Sequence, residues 1–310
     1  DAKTLAIISH VELGDRIECE VAQFKNEGIV GCYDGFLYSF DALTGKIIWK
    51  YESGGMIKSK PLVISNELII FGNYNYNQNI RCIKVSDNNE IELKWSKMLG
   101  RLGIYANILQ INKESVVVAT LGSTIHRVKI DNGEEIWHKQ LESPIFSSPA
   151  LIPGRNEFIV GEVSKIIHCF DFKGNIIWNF KDFEGQLFSS FTFSSDSSEN
   201  EIKIIFGSHD KFLRCLKYCP LNQKSSQVDL DWKLELQSQI YSTPKMIKVK
   251  DKDYIISCST NGHINFVRLK SGILEYAKKL PGEVFSSPLV YNNNSLFIGC
   301  RYNYLYGFLL

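Results

Sequence analysis

Eight cysteines and six histidines carry most of the latent chemistry of this 310-residue chain. Thiols can bridge, bind zinc or attack an electrophile, and imidazoles can move protons or ligate a metal. The spacing supports none of these. Cys215-x-x-x-Cys219 has no second pair at a zinc-binding distance, so no metal is expected. The histidines stand at 10, 126, 138, 168, 209 and 263, no Ser, His and acid set can be assembled around them, and Gly-x-Ser-x-Gly is absent. No catalytic residue is therefore expected. With 35 Lys and Arg against 34 Asp and Glu, the net charge of +1 gives no electrostatic case for nucleic acid or an anionic membrane. Apolar runs such as Val116-Val117-Val118 stop far short of the ~18 residues of a spanning helix. The chain opens at Asp1 without an initiator Met or an apolar leader, and the expectation is a cytoplasmic, monomeric piece of a longer protein.

The elements that must position these side chains form a repeat. A Trp closes a hydrophobic segment at Trp49, Trp95, Trp137, Trp178 and Trp232, with Tyr276 at the next place. A small polar pair precedes Pro or its substitute at Ser147-Ser148-Pro149, Ser189-Ser190-Phe191, Ser242-Thr243-Pro244 and Ser286-Ser287-Pro288, with Ser59-Lys60-Pro61 as an earlier copy. Both markers share one period. Between them lie short β-prone runs separated by turn residues, as in Gly28-Ile29-Val30-Gly31, Asp34-Gly35 and Phe36-Leu37-Tyr38-Ser39-Phe40.

Aligned columns restrict side-chain type. Leu37, Ile80, Ile125, Ile167, Leu213, Ile264 and Leu305 are all aliphatic, and Phe40, Ile83, Val128, Phe170, Leu216, Val267 and Phe308 are all apolar. Gly31, Ala119, Gly161, Gly207, Cys258 and Gly299 are all small, as close sheet stacking requires. Four strands per repeat, seven times over, predict an all-β, seven-bladed β-propeller of four-stranded antiparallel blades. The blades are expected near 20–52, 61–98, 107–140, 149–181, 191–235, 244–280 and 288–310, in a single domain covering 1–310. The last blade lacks its outer strand, and residues 5–17 of an N-terminal segment 5–20 are expected to supply it, because Leu13-Gly14-Asp15-Arg16-Ile17 resembles Leu280-Pro281-Gly282-Glu283-Val284. Polar stretches at 194–200 and 220–228 read as surface loops.

The string Gly35-Phe36-Leu37-Tyr38-Ser39-Phe40-Asp41-Ala42-Leu43-Thr44-Gly45-Lys46-Ile47-Ile48-Trp49 resembles the repeat of pyrroloquinoline-quinone (PQQ) propellers, with weaker copies at 130–137 and 170–178. The resemblance covers the whole chain. It implies that the Asp and Gly make a tight turn and that Trp49, Trp95, Trp137, Trp178 and Trp232 dock one blade on the next. A quinone dehydrogenase needs an adjacent Cys-Cys pair, calcium-ligating carboxylates and an axial Trp. No adjacent Cys-Cys pair exists here, so no PQQ is expected. Cys82, Cys169 and Cys215 share one column and Cys32 and Cys300 another, which reads as small buried hydrophobes in a reducing compartment.

The closing segments 285–290 and 296–306 are similar to the C-terminal propeller of the β-alanine-activating enzyme family, also called acyl-CoA synthetase family member 4 or aminoadipate-semialdehyde dehydrogenase homologue. That resemblance implies preceding adenylate-forming and phosphopantetheine-carrier domains. ATP and phosphopantetheine would then be cofactors of those domains alone, and the parent an ATP-dependent acyl- or amino-acid-activating ligase. This chain is accordingly expected to be a non-catalytic binding or scaffolding domain whose partner is a protein or a carrier domain. The alternatives are a diverged quinone-dependent dehydrogenase and a free-standing interaction scaffold.

Two loop sets emerge on one side of a blade in the usual propeller layout. The turns between second and third strands supply binding-face candidates Tyr33, Tyr74, Tyr76, His209, Arg301 and Tyr302; the loops entering the first strands supply channel-mouth candidates Phe146, Phe188, Tyr241 and Phe285. Tyr and Asn on short loops offer contact area at low entropy cost. A further column, Tyr38, Arg81, His126, His168, Arg214, Asn265 and Tyr306, reads as a polar layer between strands, with an anion-binding strip as the alternative.

Overall fold

The computed structural model describes residues 1, 3–4, 6–196, 201–220, 227–292, 294–301 and 303–310. Tyr302, and parts of the two predicted loops at 197–200 and 221–226, lie outside them. The described residues contain 27 strands and no helix, in seven consecutive antiparallel sheets spanning 22–52, 62–97, 109–140, 150–180, 192–235, 245–279 and 289–309. Each sheet is a meander in chain order. This is the strand plan of a seven-bladed β-propeller.

Contacts divide the chain into two compact units. The first holds residues 6–149 with 172–174, hence sheets one to three; the second holds 150–171 and 175–310, hence sheets four to seven. Within each unit the cores form between successive sheets. In the first unit, Ile70, Cys82 and Trp95 pack with Ile104, Val116 and Val128. In the second, Ile256, Cys258 and Ile264 pack with Val284, Leu296 and Ile298. Six of the seven aliphatic-column residues are essentially inaccessible, whereas Leu305, in the edge strand Tyr304–Leu309, is 72% exposed.

The small column has a direct steric cause. A Cβ added to Gly31 would lie 2.2 Å from Ile57, one at Gly161 would lie 1.9 Å from Leu187, and one at Gly207 would lie 2.2 Å from Ile240. In these repeats the aliphatic residue of the incoming loop thus sits on the glycine of a strand. The polar pair has a cause as well. Its second member accepts a backbone N–H from the equivalent position of the preceding repeat: Asn107 from Lys60 (2.8 Å), Ser148 from Asn107 (3.0 Å), Thr243 from Ser190 (3.2 Å) and Ser287 from Thr243 (2.9 Å). The chain between sheets thereby satisfies donors that have no ladder partner.

A β-bulge falls between third and fourth strands in each of the first six sheets, at Ser39/Phe40, Cys82/Ile83, Arg127/Val128, Cys169/Phe170, Cys215/Leu216 and Phe266/Val267. It sets each Trp directly opposite the residue before the shift, so Trp95, Trp178 and Trp232 face Cys82, Cys169 and Cys215. A thiol is small enough to lie beside an indole and makes a favourable contact with it. Three of the docking tryptophans then reach the following repeat. Trp95, Trp137 and Trp232 donate Nε1–H to the carbonyls of Ile130, Phe172 and Leu269 at 2.8, 3.0 and 2.8 Å. The Nε1 atoms of Trp49 and Trp178 find no partner among the described residues; Trp49 meets Phe24 edge-on and Trp178 packs on Tyr218.

The seventh sheet differs from the expected closure. Among the described residues it carries three strands, and residues 6–20 contain no strand. Ile7 and Ile8 are exposed, so the segment lacks the buried alternate face that fixes a strand register. Its polar groups instead serve the first sheet. Arg16 O accepts from Tyr33 N–H at 3.0 Å, Asp15 O accepts from the Cys32 thiol at 3.2 Å, and Ser9 Oγ donates to Ala42 O at 2.6 Å.

Candidate binding loops

The two loop sets are tied together by one recurrent hydrogen bond. A residue one or two places beyond the second strand donates its N–H to the incoming loop: Tyr74 to Met56, Leu121 to Gly103, His209 to Gln186, Thr260 to Gln239 and Arg301 to Glu283, at 2.9–3.0 Å, as Tyr33 does to Arg16. Candidate aromatics from both sets are therefore held side by side within each unit.

In the first unit Lys58 Nζ lies 4.5 Å from the centre of the Tyr33 ring and 4.7 Å from that of Tyr74. A cation between two rings is attracted by both quadrupoles. Burial, then hydrogen bonding to the Glu18 carboxylate, pushes the Tyr33 phenol well above its usual range, and burial does the same to Tyr74. Tyr74 is seated over Gly103, where an added Cβ would come within 2.7 Å of the ring. Phe146 meets Tyr105 edge-to-face at 5.2 Å. Tyr76 stands apart, 81% exposed, on a loop braced by its own asparagines. Asn75 Oδ1 accepts from the Asn77 and Gln78 amides at 2.8 and 3.2 Å, and Asn73 Nδ2 donates to Ser53 O at 3.1 Å.

In the second unit the two predicted groups merge. Phe188 stacks on His209 at 4.4 Å and lies 5.1 Å from Tyr241, while His209 is 4.1 Å from Tyr241. Tyr241 meets Phe285 edge-on at 5.1 Å, and the Arg301 guanidinium covers Phe285 at 4.4 Å while pairing with Glu283 at 2.8 Å. Burial, partly opposed by the Asp210 carboxylate, lowers the His209 imidazole below its usual range. Its Nε2 has no hydrogen-bond partner among the described residues. The result is a continuous row of aromatic surface with a cation at one end and an unused imidazole nitrogen within it.

Glu18, Lys58 and Tyr105 are members of these clusters that the sequence reading passed over. They occupy the loop position of Phe146, Phe188, Tyr241 and Phe285, but neither Glu18 nor Lys58 is aromatic and Tyr105 is followed by Ala106-Asn107 in place of a Ser pair. The repeat period alone could have found them.

Six of the seven residues of the polar column are buried, Tyr306 being partly exposed, and their polar groups pair within the protein as a layer between strands does. Arg214 pairs with Asp210 at 2.6 Å, His168 lies between Glu162 (2.5 Å) and Asn179 (2.7 Å), and Arg81 donates to Gln78 O at 3.2 Å. The described cysteines are all free thiols, and six of the eight are buried.

Among the described residues no helix is long and apolar enough to cross a membrane. Residues 1–310 match the family model described as β-alanine-activating enzyme, β-propeller. The β-alanine-activating enzyme of Drosophila melanogaster is 33% identical over 308 residues, which cover 96% of this chain and 30% of that protein. Its human counterpart is 40% identical over 113 residues, covering 36% of this chain and 10% of the relative. The chain thus spans less than a third of these relatives' length. Among solved structures, BamB from Moraxella catarrhalis superimposes with a TM-score of 0.73 at 18% identity, covering 96% of this chain and 84% of that one. Saccharomyces cerevisiae Sqt1 does so with a TM-score of 0.76 at 11% identity, covering 95% and 82%. Both share the fold.

Proposed function

The chain belongs to the β-propeller family of the β-alanine-activating enzymes, and from that premise we propose that it is a non-catalytic binding module of a longer, adenylate-forming enzyme with a phosphopantetheine carrier. Its occupant in this reading is the carrier domain or the acyl group the carrier bears. The observation that carries the proposal is the row Phe188, His209, Tyr241, Phe285 and Arg301, whose neighbouring groups lie 4.1–5.1 Å apart. Rigid aromatic rings flanked by Arg are what protein-binding hot spots are made of, because they bury large area while losing few rotamers. His209 adds an imidazole packed between Phe188 and Tyr241, which stiffens the row. The ATP and phosphopantetheine chemistry belongs, in this proposal, to the other domains, and the propeller holds no quinone. The free thiols favour a cytoplasmic, reducing setting.

The test is capture. The chain is immobilised and offered separately expressed adenylation and carrier domains of the same enzyme, the carrier with and without its acyl group. Binding that falls at least about tenfold in both Phe285→Ala and Arg301→Ala supports the proposal, since truncating a hot spot costs ~2 kcal/mol or more. Absence of capture by a folded chain, or capture unchanged in both variants, overturns it. Tyr76→Ala asks the same question of the exposed loop in the first unit.

A further inference from the structure

The geometry points to a divalent transition-metal site formed by His126, Glu135 and His138. The candidate ligand atoms of these three residues lie within 4.8 Å of one another. His126 Nδ1 is 2.6 Å from Glu135 Oε2, and His138 Nδ1 is 2.7 Å from Glu135 Oε1, so one carboxylate is held between two imidazoles.

Strand pairing creates the cluster. His126, on strand Thr124–Lys129, is directly opposite His138, on strand Glu135–Gln140, and Val128 is opposite Glu135. In a regular strand residues 135 and 138 would point to opposite faces. The bulge at Arg127/Val128 inserts one residue between them and returns both to the face of His126. Cysteine spacing predicts no metal, and the imidazole pair is visible only after this register is known.

The surroundings suit a ligand set. His126 is buried, and its second nitrogen lies 2.8 Å from Thr124 Oγ1, which in turn lies 2.7 Å from Thr120 Oγ1. Such outer partners fix ring orientation and tautomer in metal sites. Gly100 lies close over the same threonine, where an added Cβ would fall 2.2 Å from Thr124 Oγ1. The cluster, with Gly100 and Thr124, lines a recess of about 570 Å³ that is also bordered by Arg101, Gly122 and Gln140. His138, with 58% of its side chain exposed, stands at the mouth and has room to move outward. The N to O contacts must open and the widest separation, up to 4.8 Å, must close for all three to ligate one ion. With bonds of about 2.0–2.1 Å, tetrahedral ligand atoms sit roughly 3.3 Å apart, about 0.6 Å more than the present N to O separations.

Two imidazoles and a carboxylate are the donors of zinc sites that keep a fourth position open for water or substrate, and here the recess provides that position. The nitrogen donors favour Zn²⁺, Ni²⁺ or Cu²⁺ over Mg²⁺ or Ca²⁺. The site is independent of the aromatic row and of the carrier-binding proposal.

The experiment titrates the chelator-treated 310-residue chain with Zn²⁺ by calorimetry and with Co²⁺ by visible absorption. We expect one equivalent of Zn²⁺ per chain and Co²⁺ bands of tetrahedral or five-coordinate intensity. His138→Ala and Glu135→Gln should each weaken binding at least about tenfold, while His10→Ala leaves it unchanged. Circular dichroism establishes that each variant is folded. Should Glu135→Gln fail to fold, His138→Ala decides, since that side chain is exposed. No uptake by the wild-type chain, or uptake equal in wild type and His138→Ala, as adventitious thiol binding would give, overturns the assignment.

Discussion

Trp95 donates its indole N–H to the carbonyl of Ile130 at 2.8 Å, and Gly133, three residues further on, lies against the face of the same ring. The pair explains why the repeat marks its last strand with Trp. The ring fills the space between two sheets, and its one polar atom satisfies a carbonyl in the turn of the next sheet. Trp95→Ala should cost about 3–5 kcal/mol through the lost apolar contacts and the cavity. Trp95→Phe keeps much of the ring and strands the Ile130 carbonyl, for about 1–3 kcal/mol. Urea unfolding of both, beside Tyr76→Ala as an exposed control within about 0.5 kcal/mol of wild type, checks the ranking. A Trp95→Phe variant as stable as wild type would show that packing alone fixes the residue.

Gly272 and Gly154 separate the two reasons for glycine in these turns. Both have positive φ, at +67° and +70°, but a Cβ on Gly272 would lie 2.7 Å from the Trp232 ring, whereas one on Gly154 meets nothing within 4 Å. Gly154→Ala should therefore cost only the left-handed backbone strain of about 1–2 kcal/mol. Gly272→Ala should cost clearly more, because Trp232 must shift from its hydrogen bond to Leu269. Chemical denaturation with near-ultraviolet dichroism of the tryptophans measures both effects. Equal losses would place the whole penalty in the backbone.

The fold was legible because its constraints repeat. A residue under Ile57 must be small, one under Ile240 must be small, and the repetition turns a packing fact into a column of letters. The aromatic loops were legible for the same reason, up to the positions where the letter changed, as at Lys58 and Tyr105. The His126, Glu135 and His138 cluster was not, since it occurs in one repeat and depends on a bulge that no residue type announces. Nor did the sequence of residues 6–20 reveal that its polar groups are engaged by the first sheet.

The cysteines make a kinetic prediction. Burial pushes the Cys82, Cys215 and Cys258 thiols up to about 12 and, with smaller opposing hydrogen bonds, Cys19 up to about 11. The nucleophile is the thiolate, so these sites should be nearly inert to iodoacetamide at pH 8 in the native chain. Cys219, which is only partly buried, should be alkylated first. Peptide mass spectrometry after timed alkylation gives the order. Labelling of Cys82 or Cys258 as fast as Cys219 would contradict the burial assigned to them.

Asp210 ties acid sensitivity to one partly buried carboxylate. Oδ2 accepts from Arg214 at 2.6 Å and from the amides of Glu184 and Gly185 at 3.1 and 3.2 Å. Oδ1 accepts from Ser208 at 2.5 Å and again from Arg214 at 2.9 Å. Burial opposes the charge, but these hydrogen bonds and the Arg214 charge outweigh it and hold the carboxyl well below its usual range. A folded-state pKa below the unfolded value of about 3.9 means the stabilisation is fully present above that pH and is lost as pH falls toward the folded value. Asp210→Asn should destabilise the chain by about 3 kcal/mol or more at pH 7, since it leaves the buried Arg214 guanidinium without its counter-charge. The gap to wild type should narrow steadily as the pH falls below about 4, because the wild type is then giving up the same interaction. Urea midpoints of both proteins from pH 7 to pH 3 measure it, and a gap that stays constant over that range would remove Asp210 from the acid response.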